Sequence, residues 1–284
     1  MNWPLVILLL LSFIAALSVI LYFFQERFIF HPEKLPKDFV FYYENQHVDE
    51  YTLELKPGVQ INGLHFKVAQ PKGVVFYLKG NSKSIKGWGK FAVDFTVHGW
   101  DVIMIDYRGF GKSTGRRTQQ RMKDDVLAVY DKIKEKVDEQ HIVIYGRSLG
   151  TGLATKVASV NNPRMLILAC PYYSISTNVK RYLPFLPLAL VLRFSMPTYK
   201  WIKYVRCPIN LIHGTNDKII PLKSSIRLSK VNPIRTRLYP IIGGGHKNLH
   251  NFEAYHRAIK EILYAGPKEE IDRKNTSIDF VRKK

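Results

Sequence analysis

The stretch HIVIYGRSLGTGLA, residues 141 to 154, sets Ser148 between Gly146 and Gly150, where an apolar strand gives way to a helical pattern. A serine hydroxyl attacks a carbonyl only when a base takes its proton, and the resulting oxyanion needs amide donors close by. A sharp strand-to-helix turn meets both needs. It exposes the hydroxyl, glycine-sized neighbours let strand and helix approach, and the N–H of Leu149 points at the developing charge with the helix dipole behind it. The bland alternative is a helix N-cap flanked by two chance glycines.

Two residues further along change the balance. LIHGTNDKIIP places Asp217 in the loop after the next-to-last strand, and YPIIGGGHKNLH places His246 in a glycine loop after the last one. Parallel sheets gather functional groups at the carboxyl ends of their strands, so Ser148, Asp217 and His246 are expected to converge there. His246 would take the serine proton and later return it to the leaving group, while Asp217 orients the imidazole and stabilises its cation. Taken singly, Asp217 reads as a turn residue and His246 as a helix cap. His250 and His256 read as surface or packing residues. No cluster of His, Cys, Asp and Glu has metal spacing, and no phosphate or dinucleotide loop is present, so neither metal nor cofactor is expected.

The elements that must position these residues alternate between β-rich runs and helical patterns, as in one α/β domain with a mostly parallel sheet. YTLEL and INGLHF form an opening hairpin turning at Pro57-Gly58; GVVFYLK, DVIMID, HIVIYG, RMLILAC, PINLIHG and RTRLYPI are further strands. Met122, Val126, Val129, Ile133 and Val137 recur at helical spacing and predict a helix over 118–138. Other helices are predicted over 149–160, 221–230 and 248–263. One segment, about residues 172–204, breaks the alternation with RYLPFLPLALVLRFSMP and reads as a small cap insertion; the alternative is that it fills the core beneath a long loop. Cys170 ends one strand and Cys207 begins another, so the two are expected at opposite ends of the sheet, too far apart for a disulfide.

LKGNSKS, DYRGFGKSTG, GRSLG, HGTNDKIIP and GGGHKNL occur in the order that marks the α/β-hydrolase superfamily. More narrowly, the chain resembles its single-span membrane α/β-hydrolase-domain proteins, grouped with serine aminopeptidase-like hydrolases, over roughly residues 50 to 265. The resemblance implies Ser148 as nucleophile, Asp217 as acid, His246 as base, and the N–H groups of Asn81 and Leu149 as the oxyanion hole. It also implies a structural turn from Asp106 to Gly115 beside the site. Relatives usually carry His-Gly-Asn where this chain has Lys79-Gly80-Asn81, a departure that bears on specificity more than on activity.

The setting comes from the ends of the chain and from its charge. Leu5 to Phe24 runs without a charge, long enough at about 1.5 Å per residue to cross a hydrocarbon core of roughly 30 Å. It reads as a single membrane span within an anchor over 1–26, with Trp3 and Tyr22 at the interfaces. A cleaved signal peptide would want basic residues ahead of a shorter run. Arg27, Lys34 and Lys37 follow the span, which favours a cytoplasmic hydrolase domain over 27–266. A tail over 267–284 is charged and aperiodic, and its Asn275-Thr-Ser matches a glycosylation pattern. With 43 Lys and Arg against 23 Asp and Glu, the net charge of +20 demands an anionic partner. Basic residues are spread out and no nucleic-acid module is present, so membrane lipids are expected and nucleic acid is not. Together these features predict a membrane-anchored serine hydrolase cleaving esters or thioesters of lipid-like or acylated substrates. A silent scaffold on the same fold, a peptidase and an acyltransferase are the alternatives.

Overall fold

The computed structural model describes residues 2–265, so the expected tail and Asn275 lie outside the described residues. Eight strands form one sheet: β1 (His47–Lys56), β2 (Val59–Lys67), β3 (Val74–Leu78), β4 (Asp101–Ile105), β5 (Ile142–Arg147), β6 (Met165–Ala169), β7 (Ile209–Gly214) and β8 (Thr236–Ile241). Their order is β1-β2-β4-β3-β5-β6-β7-β8. β1 pairs antiparallel with β2, and β2 with β4, while every other neighbouring pair is parallel. The hairpin turns at Pro57-Gly58 as the sequence predicts.

The helices are α1 (Trp3–Ile29), α2 (Ile85–Trp88), α3 (Val93–Thr96), α4 (Gln119–Lys134), α5 (Leu149–Ala158), α6 (Ile175–Lys180), α7 (Leu188–Val191), α8 (Thr198–Trp201), α9 (Lys223–Ser229) and α10 (Glu253–Tyr264). Every residue of β3, β5, β6 and β7 is buried, because these central parallel strands are covered on both faces; they read as mostly apolar runs, broken by Arg147 in β5 and by Asn210 and His213 in β7. The period of two divides them between layers. Val74, Phe76 and Leu78 of β3 pack in the core with α4 and α5, and Val75 and Tyr77 pack in the other with Phe95 and α10.

α5 and α9 fall one or two residues inside their predicted bounds, and two helices differ more. α4 begins as its Thr118 cap dictates, the hydroxyl accepting from Arg121 N–H, but stops at Lys134 because the N–H groups of Lys136 and Val137 both turn to the Ile133 carbonyl. The last predicted helix divides into a short 3-10 turn, Leu249–Asn251, and α10, with Phe252 extended between them. Cys170 and Cys207 lie at opposite ends of the adjacent strands β6 and β7, and no disulfide joins them.

α1 is long and apolar enough to cross a membrane, and none of its most apolar window is buried against the domain. It does not stop at its apolar residues. The helix continues unbroken to Ile29, past the expected anchor boundary at residue 26, because Gln25 and Glu26 have partners in the domain. The segment between β6 and β7 contains α6, α7 and α8. Leu186, Leu188, Val191, Phe194 and Met196 are buried, whereas Tyr182, Phe185 and Leu190 face outward. The segment therefore presents apolar side chains both to the core and to the outside.

Candidate active site

Ser148 ends β5 and opens α5 with φ 51°, ψ −118°, a conformation that L-residues adopt only when their surroundings enforce it. The two glycines supply the enforcement. A Cβ on Gly146 would stand 2.7 Å from the Ala154 Cβ, and one on Gly150 would collide with the Leu78 carbonyl. The helix start is thus pressed between its own strand and the end of β3. Ser148 does not cap the helix through its side chain. Its Oγ instead lies 2.9 Å from His246 Nε2.

His246 leaves the loop after β8, and its Nδ1 meets Asp217 Oδ2 at 2.7 Å. Asp217, in the loop after β7, accepts at Oδ1 from the N–H groups of Ile219 (2.9 Å) and Ile220 (2.8 Å). Burial opposes its ionisation, but hydrogen bonds from His213 and His246, the charge of His246 and the Ile220 amide hold it well below the usual carboxylate range. The three residues singled out by spacing are therefore joined by hydrogen bonds, with Ser148 and His246 partly open to solvent.

A second Ser-His-Asp network shares the same carboxylate. Ser225 Oγ is 2.6 Å from His213 Nδ1, and His213 Nε2 lies 2.8 Å from the Ile220 carbonyl and 3.4 Å from Asp217 Oδ2. Ser225 and His213 are wholly buried, so no substrate reaches this serine; its geometry braces the Asp217 loop. Sequence reasoning missed His213, although it stands one residue from the strand end in the same LIHGTND motif. It also missed Cys170, which follows β6 at φ 52°. Burial and the adjacent Asp217 carboxylate push its thiol far up, so the S–H serves Asp217 as a donor. Cys170, Asp217 and His246 offer ligand atoms within 4.8 Å of one another. In this structure the three are linked by hydrogen bonds, with the thiol and the His246 imidazole both directed at the Asp217 carboxylate.

Two backbone segments flank the serine. Leu149 N–H is the first of α5, and Gly80 passes beside Ser148, with a hypothetical Cβ there only 3.7 Å from the Ser148 Cβ. The loop carrying Asn81 is tied on two sides. Inward, Lys79 is fully buried and turned away from solvent: its Nζ donates to the Lys83 carbonyl (3.1 Å), lies 3.4 Å from Asp106 Oδ1 and sits 3.8 Å from the Phe110 ring centroid. Burial lowers Lys79 to about 8 against the pull of Asp106, and burial raises Asp106 to about 6 against that of Lys79. Lys79 is thus a strut of the loop, linked to the Asp106–Gly115 turn, and not a group in the cleft. Outward, Asn81 Nδ2 donates to the Ile29 carbonyl at the end of α1 (2.6 Å), His31 N–H donates to the Asn81 carbonyl, and Ser84 Oγ donates to Glu33. Arg147 ties β5 to the His246 loop, its guanidinium reaching the Lys247 carbonyl (3.3 Å) above the rings of Trp88 and Phe91.

This arrangement is an α/β-hydrolase fold. The model for the serine aminopeptidase S33 family matches residues 69–204, a stretch that includes Ser148 and ends before Asp217 and His246. Among curated proteins the chain is similar to the lysophosphatidylserine lipase ABHD12 of Macaca fascicularis, 24% identical over 231 residues, covering 69% of this chain and 57% of that protein. It therefore spans little more than half that relative's length. It is also 28% identical over 203 residues to an uncharacterized protein of Mycobacterium tuberculosis, covering 70% of this chain and 72% of that one. Among solved structures the Pyrococcus furiosus esterase Pf2001 superposes with a TM-score of 0.65 at 18% identity, over 86% of this chain and 98% of that one.

Proposed function

We propose that this chain is a membrane-anchored serine hydrolase that cleaves carboxylic esters or thioesters of lipid-like or acylated substrates through an acyl-serine intermediate. One observation carries the reading: Ser148, strained at the strand–helix elbow, has its hydroxyl 2.9 Å from His246 Nε2 with Asp217 on the far nitrogen. His246 takes the hydroxyl proton as Ser148 Oγ bonds to the carbonyl carbon. The oxyanion rests on the N–H groups of Asn81 and Leu149. Collapse breaks the bond to the alcohol or thiol, which leaves with the proton from His246. Water then attacks the acyl-serine by the same route, releasing the acid and restoring the hydroxyl. Asp217 stays ionised throughout, and these steps call for no cofactor.

The lipid-like substrate class is supported by location and by likeness. The apolar α1 supplies an anchor within 1–26 on the hydrolase domain 27–266, the net charge of +20 suits the anionic cytoplasmic leaflet, and segment 172–204 serves as the cap. The curated lysophosphatidylserine lipases point to a single-chain acyl lipid. Labelling with a fluorophosphonate probe tests the chemistry. Native protein is expected to label, Ser148→Ala and His246→Ala to lose labelling, and Ser225→Ala to retain it. Retained labelling in folded Ser148→Ala would overturn the assignment. A substrate series from two-carbon to long-chain acyl esters tests the class, with rate rising with chain length.

A further inference from the structure

The last turns of α1 are clamped sideways to the segment between β6 and β7. The Gln25 amide is fully buried there: its Nε2 donates to the Val191 carbonyl (3.1 Å) and its Oε1 accepts from Arg193 N–H (2.8 Å). The Arg193 guanidinium reaches Glu26 at 3.3 Å and lies 5.5 Å from the Tyr22 ring centroid. These contacts fix the end of α7 at the level of residues 22 to 26, where the charge-free run closes at Phe24. At about 1.5 Å per residue, helix positions 22 to 26 span only about 6 Å of depth. A segment held beside them shares the depth at which α1 leaves the hydrocarbon.

The outward side chains at that depth are apolar. Leu190 is 81% exposed, and Phe185 and Tyr182 just before it are also exposed, as are Phe23 and Phe24 of α1. In water this patch has no reason to face outward while Leu186, Leu188 and Val191 from the same segment are buried. Lys180 and Arg181 precede it, the pattern of an apolar surface rimmed by cations that settles into an anionic headgroup layer. Arg181 also donates to the Ile219 carbonyl, two residues from Asp217, so the patch and the catalytic loop are joined.

We propose that residues 182–190 form a second membrane-inserting surface, which docks the cap into the interface of an anionic bilayer beside the anchor. It rests on the reading of α1 as a membrane span. The site would then be fastened at two points, and an acyl chain would pass from the bilayer to Ser148 beneath the cap without crossing bulk water.

The test places an environment-sensitive nitrobenzoxadiazole label at Leu190→Cys and, separately, at Phe185→Cys in the full chain. Both native cysteines are buried, and exposed positions tolerate substitution. The protein is reconstituted into vesicles of phosphatidylcholine and phosphatidylglycerol, some carrying a nitroxide on the acyl chain. Leu11→Cys marks the span, and Ile234→Cys, exposed before β8 at the opposite end of the sheet from Ser148, marks the aqueous side. The labels at 190 and 185 are expected to be quenched several-fold more by the nitroxide lipid than the label at 234, with emission shifted to the blue. Quenching at 11 with none at 190 or 185 would overturn the docking surface and leave the anchor standing. No quenching at 11 would overturn both.

Discussion

Lys79 departs from the family pattern, yet its buried side chain never enters the cleft: it supports the Asn81 loop from below through the Lys83 carbonyl and Asp106. Lys79→Met is expected to strand the Asp106 carboxylate in the interior and to lower stability by about 3–5 kcal/mol, read as a fall in the denaturant midpoint. Asp217 gives a pH signature. Its folded-state pKa lies below the ordinary 3.8, so its contribution to stability is fully present above that value and is lost as pH falls through and below it. Unfolding free energy is therefore expected to drop progressively as pH falls below about 4 in the native chain and to drop less in Asp217→Asn, compared by denaturant titration. What the spacing of residue types told was which polar groups meet at one sheet edge. It did not tell of Cys170 or His213 around Asp217, because a lone cysteine and a strand-end histidine have the same appearance in sequence whether they pack or hydrogen-bond.

At the scale of elements, the elbow is a steric device more than a sequence motif. Gly150 faces the Leu78 and Lys79 carbonyls at the end of β3, so Gly150→Ala is expected to push α5 off the sheet and cost about 1–3 kcal/mol, with a larger loss of turnover than of stability. Thermal unfolding and steady-state kinetics on the same preparation separate the two effects. The central strands were legible because residues buried on both faces must be apolar, and helix α4 because one face repeats at helical spacing. Helix ends were less so. The stop at Lys134 and the break at Phe252 are settled by single carbonyls and dihedrals to which composition is blind. The contacts that hold the end of α1 were hidden for a related reason: the partners of Gln25 and Glu26 lie more than a hundred residues away in sequence.

Across the whole molecule, the net charge of +20 has no acidic counterpart large enough to offset it, so an anionic membrane surface should attract the domain over about one Debye length, roughly 8–10 Å at physiological salt. Hydrolysis of a lipid substrate in anionic vesicles is expected to slow several-fold as ionic strength rises, while hydrolysis of a soluble short-chain ester stays flat. A parallel decline in both would place the salt effect in the site and not in the approach. The tie between α1 and the site has a further consequence. Because the helix runs unbroken from its apolar stretch to Ile29, and Ile29 holds Asn81 while Gln25 holds Val191, tilt of the helix is transmitted to the reaction centre. On the proposed reading of α1 as a membrane span and of Asn81 as an oxyanion donor, a helix that leans to match a thinner bilayer would carry that loop with it, and the thickness of the surrounding lipid would enter the rate as a variable alongside substrate concentration.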